Sequence, residues 1–151
     1  MIFFIKETVS ELKQSFPLIK SKKIQIKFFS SDKYSGGAFW FLPFWRVLFV
    51  NRDRKFNKKE WVGLIAHELA HFEIDQRRGW AKTFFVGILY WIFPDVRKKE
   101  EVQTDKMAIK KGYAREVYAL AKKLKNKKIR KHYLKPEEIK SYAKKVGKWL
   151  Y

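Results

Sequence analysis

The sequence predicts an α+β fold: a small sheet in the first third, a long helix behind it and basic helices filling the rest. Three observations predict this. Lys23-Ile24-Gln25-Ile26-Lys27-Phe28-Phe29 alternates polar and apolar residues, the period of a half-buried strand. The Pro-free run from Asn57 to Arg78 places Trp61, Leu64, Ile65, Leu69 and Phe72 at helical spacing. Beyond Pro94, apolar residues recur every three or four positions among lysines, as on helices that bury one face. The 151 residues are expected to form one domain, residues 1–151, with an upper lobe (1–79) and a helical lower lobe (80–151).

Taken in order, Val9, Leu12 and Phe16 share a helical face over residues 6–16, and Pro17 limits that helix. After the strand at 23–29, Ser30 to Ser35 reads as a turn. Ala38-Phe39-Trp40-Phe41-Leu42 and Arg46-Val47-Leu48-Phe49-Val50-Asn51 supply further strands. The expected sheet has three to four strands, is mainly antiparallel and packs on the following helix. Asn57 and Glu60 have capping-box spacing at the start of that helix, and Arg77-Arg78-Gly79 ends it. A helix from Pro94 should run to about Lys111 and close at Gly112. Two Lys-rich helices follow, with Val117, Leu120 and Leu124, then Ile139, Tyr142 and Val146, facing inward.

Residues 80–93 carry one charge, Lys82. As a helix they would extend about 21 Å, against about 30 Å for a hydrocarbon core. A spanning helix is therefore not expected. Two readings stay open: a buried segment, or one lying in a membrane interface with Arg77-Arg78 and Arg97-Lys98-Lys99 reaching headgroups.

Composition narrows the chemistry. Hydrophobic residues at 46% and aromatics at 18% exclude a disordered chain. The absence of cysteine excludes disulfides, thiolate metal sites and a cysteine nucleophile. A net charge of +20 suits polyanions, whether nucleic acid, anionic membrane or acidic peptide, while a Lys-rich, Cys-free thermophile composition accounts for it equally. Residues 1–5 lack the basic start and cleavage site of a signal peptide, so a cytoplasmic location, with or without membrane association, is expected.

The chemistry concentrates in His67-Glu68-Leu69-Ala70-His71. On a helix His67 and His71 lie one turn apart on one face, within reach of a single ion. Glu68 beside them is placed to take a proton from water at that ion, and Zn2+ is the metal this donor set suits. A catalytic zinc needs a third protein ligand. Ile74 and Arg77 exclude the metzincin extension, Glu73 and Asp75 are rotated away from the imidazoles, and His132 lies in a basic run. That leaves Glu101 with Asp105, spaced i, i+4 on one helix face. Glu101 would complete the ligand set, and Asp105 would accept from the far nitrogen of an imidazole. Glu100 is off that face.

His67-Glu68-Leu69-Ala70-His71 followed by Glu101-Val102-Gln103-Thr104-Asp105 resembles the gluzincin metallopeptidases, whose pattern is HExxH then ExxxD. Over roughly residues 23–113 the chain looks most like the small archaeal minigluzincins, soluble relatives of the catalytic domains of CAAX prenyl protease and heat-shock membrane protease types. The resemblance implies a zincin-like fold and one catalytic Zn2+ on His67, His71 and Glu101. It further implies Glu68 as general base and acid, Asp105 behind a ligand, and Ala38, Phe39 and Trp40 as the sheet edge where a peptide or protein substrate adds as a strand. The apolar 80–93 segment stands where the membrane relatives carry a hydrophobic insertion. The chain departs from the larger gluzincins in lacking a clear oxyanion-stabilising residue, for which Tyr113 and His132 are the candidates. Latency through the C-terminal tail (126–151) is one expectation. A zinc-stabilised basic module that binds anionic membrane or nucleic acid, with little hydrolysis, is the rival.

Overall fold

The computed structural model describes residues 1–149, so Leu150 and Tyr151, the end of the expected domain and tail, lie outside the described residues. It is α+β. Helix α1 (Ile2–Lys13) leads to strands β1 (Ile24–Phe29), β2 (Gly36–Leu42) and β3 (Trp45–Asn51). Helices α2 (Lys58–Arg78), α3 (Trp80–Ile92) and α4 (Pro94–Ala108) follow, then a π-helical turn at Ile109–Tyr113. Helix α5 (Ala114–Leu124), a 3-10 turn at Lys128–His132 and α6 (Pro136–Lys145) complete the chain's order of elements.

The sheet departs from expectation. Its order is β1-β3-β2, with β2 antiparallel to β3 but β1 parallel to it, so it is mixed rather than mainly antiparallel. The short link at Pro43-Phe44 joins β2 and β3 as an antiparallel hairpin. The 30–35 loop instead carries the chain past the central position, leaving β2 as an edge and returning β3 beside β1 in the same sense. Asn51 clamps that loop by donating from Nδ2 to the carbonyls of Ser31 (2.5 Å) and Tyr34 (2.6 Å).

Helix α2 is the organising element. Asn57 and Glu60 form the capping box, each side chain taking the other's backbone N–H. The sheet meets α2 through β2, α5 packs along the helix as well, and Leu48 and Val50 of β3 join the same hydrophobic cluster as Leu64, Ile65 and Leu69. The α2–α5 crossing depends on Gly63, where an added Cβ would collide with the Glu116 backbone. One hydrophobic cluster runs from Ile5 in α1 through Leu48, Ile65 and Leu69 to Ile139 and Ala143 in α6, joining both expected lobes.

Three further elements differ from the sequence reading. Helix α1 starts at Ile2 rather than Lys6, because Ile5 is a fully buried member of its apolar face. Helix α4 gives way at Ala108 to the π turn, in which Gly112 adopts φ +103°. No residue of α3 is buried, so the buried reading of 80–93 does not hold: α4 and α2 pack on one side of that helix, and among the described residues no further layer covers its outer face. Among the described residues no helix is long and apolar enough to cross a membrane.

Candidate metal centre

His67, Glu68 and His71 come from the middle of α2, and Glu101, Thr104 and Asp105 from the facing side of α4. The Nε2 atoms of both imidazoles converge on one atom, Glu101 Oε2, at 3.0 Å for His67 and 3.3 Å for His71. The two rings stand nearly perpendicular, 4.9 Å apart between centroids. Their far nitrogens are tied off. His67 Nδ1 lies 2.9 Å from Asp105 Oδ1 and His71 Nδ1 lies 3.2 Å from Thr104 Oγ1. Thr104 already donates its hydroxyl to the Glu100 carbonyl at 2.8 Å, so it accepts from His71 Nδ1–H. Both Nδ1 atoms therefore carry the proton in the neutral tautomer, which leaves the Nε2 lone pairs turned toward Glu101.

A tetrahedral ion with ligands at about 2.1 Å holds neighbouring ligand atoms about 3.4 Å apart. The separations of the imidazole nitrogens from Glu101 Oε2 are close to that value. The donor set, two imidazoles and a carboxylate with mutually near atoms, fits a divalent metal ion.

The electrostatics agree. Burial opposes charge on His67, but hydrogen bonds to Asp105 and Glu101 outweigh it and raise its pKa to about 10. His71 is also raised, burial being overcome by Glu101. Burial would lift Glu101 too, yet the facing imidazoles hold it well below the usual carboxylate range. The metal-free site thus stores positive charge as protons between its carboxylates, where a dication would take their place.

Glu68 is buried beside the ligands and makes none of these contacts. Desolvation raises its pKa, and the two imidazoles only partly offset that. The Gly36 backbone of β2 lies against it: a Cβ there would sit 3.1 Å from Glu68 Oε1. A cavity of about 850 Å³ opens over Glu68, His67 and His71, with β2, including Ala38, Phe39 and Trp40, along one wall and α3 along another.

The remaining residues singled out from sequence fall as follows. Both carboxylate oxygens of Glu100 accept from Arg78 Nη2, at 2.8 and 2.9 Å, and Glu100 is not a ligand candidate. Glu73 is fully buried, accepting from Leu18 N–H at 3.1 Å and paired with Lys111 Nζ at 3.5 Å. Asp75 lines the cavity beside Arg78, its pKa raised by burial. Neither oxyanion candidate lines the cavity. Tyr113 stacks on Phe16 and hydrogen-bonds Ser15, facing α1, because the π turn carries it away. His132 is buried in its 3-10 turn with its pKa lowered, first by desolvation and then by Arg97.

Other side chains take their place. Tyr133 packs 5.3 Å from the His67 ring, and the Arg130 guanidinium lies 4.5 Å over its face; both line the cavity. Burial and then Glu101 hold the Tyr133 phenol well above its ordinary pKa, so it remains a proton donor. Tyr90 of α3 donates to Glu101 Oε1, with Arg97 stacked 5.2 Å from its ring. Thr104 was detectable in the sequence, three residues after Glu101 on the same face. Tyr90 and Tyr133 carried no such signal, one lying in an aromatic run and the other in a basic one.

Compared with known protein families, curated proteins and solved structures, the chain finds no match.

Proposed function

We propose that this chain is a zinc-dependent metallopeptidase of gluzincin type with a zincin-like fold. The observation that carries the proposal is the convergence of His67 Nε2 and His71 Nε2 on Glu101 Oε2 beneath an open cavity, with a free buried carboxylate, Glu68, beside them. His67, His71 and Glu101 would hold Zn2+. When bound, the metal supplies a Lewis acid that lowers the pKa of water and polarises a carbonyl.

The chain's own groups do the rest. Glu68, its basicity raised by burial, takes the proton of the attacking water and delivers it to the leaving amine. Asp105 and Thr104 hold the imidazoles in orientation through their Nδ1–H groups. Tyr133, kept protonated, is the donor for the developing oxyanion, in place of Tyr113 or His132. An extended peptide adds to the free edge of β2 along Ala38, Phe39 and Trp40, which places its backbone across the floor of the cavity.

The C-terminal segment enters as part of the site rather than as a cover. Ile139 and Ala143 belong to the core, and Tyr133 and Arg130 to the cavity wall, so latency by release of residues 126–149 would dismantle both.

The decisive experiment pairs metal content with peptide cleavage in Glu68→Gln. Retained zinc with cleavage lost supports a hydrolase. Cleavage equal to that of the parent chain, or absent from the zinc-loaded parent itself across a broad peptide digest, overturns it.

A further inference from the structure

Helix α3 is the most apolar stretch of the chain, yet Phe85 is 67% exposed and Ile92 61%. Phe84 and Trp91 are exposed on the same helix and border the cavity. On the opposite wall the β2–β3 hairpin carries a second exposed apolar group, Phe41, Leu42 and Phe44, with Phe41 packed 5.1 Å from Trp45. Two apolar ridges therefore flank one opening. An exposed apolar surface of this extent on both rims of a cavity marks an interaction site.

Charge identifies the occupant. From position 77 to 99 the chain carries Arg77, Lys82, Arg97, Lys98 and Lys99 against a single acid, Asp95, Arg78 being paired with Glu100. Arg77, Lys82, Lys98 and Lys99 are solvent-exposed, bracketing α3 at both ends and within its first turn. On the hairpin side the Lys27 ammonium sits 6.0 Å from the Trp45 ring. Aromatic residues bordered by cations match the boundary between acyl chains and anionic headgroups. A second copy of this chain fits less well, because it would press one basic collar against another on a molecule of net charge +20. Nucleic acid fits less well still, since the helix between the collars offers one cation, Lys82, to phosphates.

We propose that the outer face of α3 and the hairpin tip at Phe41–Trp45 dock together on an anionic lipid bilayer, setting the mouth of the cavity at the membrane surface. The 13-residue helix lies in the interface: at about 20 Å it is too short to span. Docking stands independently of whether the site hydrolyses peptides.

The test is co-sedimentation of the full chain with vesicles of phosphatidylcholine, with and without phosphatidylglycerol, at low salt. The parent chain should pellet with the anionic vesicles and bind the zwitterionic ones at least about tenfold more weakly. Phe85→Asp/Ile92→Asp, at two exposed positions outside the cavity lining, should keep the parent's melting temperature and weaken binding to anionic vesicles at least about tenfold. Lys82→Glu/Lys98→Glu/Lys99→Glu should weaken it independently. No pelleting with anionic vesicles overturns the proposal. So does pelleting that Phe85→Asp/Ile92→Asp leaves unchanged, since diffuse charge would then carry the binding. Concentration-dependent dimerisation abolished by that variant, without vesicle binding, overturns it in favour of a second copy.

Discussion

The backbone N–H of Leu134 donates to Asp105 Oδ2 at 3.0 Å, while the other oxygen of that carboxylate faces His67 Nδ1 at 2.9 Å. The C-terminal segment is thereby fastened to the group that orients a metal-ligand candidate. This explains why Tyr133, one residue earlier, lies against the His67 ring: the segment's register is fixed at the site itself.

Asp105→Ala should accordingly do two things at once. Metal affinity should fall about 10- to 100-fold, the usual cost of removing a carboxylate behind a ligand imidazole. The backbone amide of Leu134, left without its acceptor, should lose protection from hydrogen exchange. Competition with a chromophoric chelator reads the first and amide exchange the second. An affinity within twofold of the parent's would mean that Asp105 does not orient His67.

A milder change separates metal binding from proton transfer. In Gly36→Ala the new methyl meets Glu68 Oε1 at 3.1 Å, Leu64 Cδ1 at 3.2 Å and the Phe49 carbonyl oxygen at 3.2 Å; the last is backbone, so the Glu68 carboxylate and the Leu64 side chain give way by a few tenths of an ångström. Zinc content should stay unchanged and kcat/KM fall about tenfold, as expected when a reacting group is displaced by a fraction of an ångström. Unchanged kcat/KM would show that the position of Glu68 is not limiting.

Much of this architecture was legible in the sequence, and the rest was hidden for identifiable reasons. The capping box at Asn57 and Glu60 and the helical pairing of His67 with His71 are local, set within one turn of backbone. Glu101 and Asp105 were readable because helical periodicity again puts them on one face. Strand order was not legible. The β1/β3 parallel pairing depends on where a loop delivers the chain, and alternation along a strand does not encode its neighbour. Tyr133 was hidden because its place follows from the bond between Leu134 and Asp105, a contact across 29 residues. The apolarity of α3 was misleading, since burial depends on whether another layer is available to cover a helix.

Gly63 is a second position whose importance only the packing reveals. It sits where α5 crosses α2, and any side chain would strike the Glu116 carbonyl group. Gly63→Ala gains helix propensity, worth about 1 kcal/mol. The overpacking typically costs about 1–3 kcal/mol, and more where the obstacle is backbone that cannot turn aside. The net should be destabilising, seen as a lower melting temperature together with a shift in the α2–α5 contact that disturbs His67 one turn later. A melting temperature at or above the parent's would mean that the crossing relaxes freely.

The charge state of the site predicts a pH window for the metal-free protein. His67 titrates at about 10 in the fold against 6.5 in the open chain, and a raised pKa favours the folded state wherever the proton is bound in it. That contribution is fully present below pH 6.5 and is lost as pH rises toward 10. Glu101, held well below 4.5, gives the opposite limb: its contribution is present above 4.5 and is lost as pH falls through its lowered value. Both limbs report the same buried ion pairs, so chelator-treated protein should be most stable between about pH 4.5 and 6.5 and melt progressively lower from 6.5 to 9. Zinc should bind more tightly over that same alkaline range, because His67 and His71 must surrender protons to it. Calorimetry in buffers of different ionisation enthalpy should register proton release on zinc binding at pH 7. A melting temperature flat from 6.5 to 9, or zinc binding without proton release, would mean that the imidazoles are already neutral in the metal-free fold.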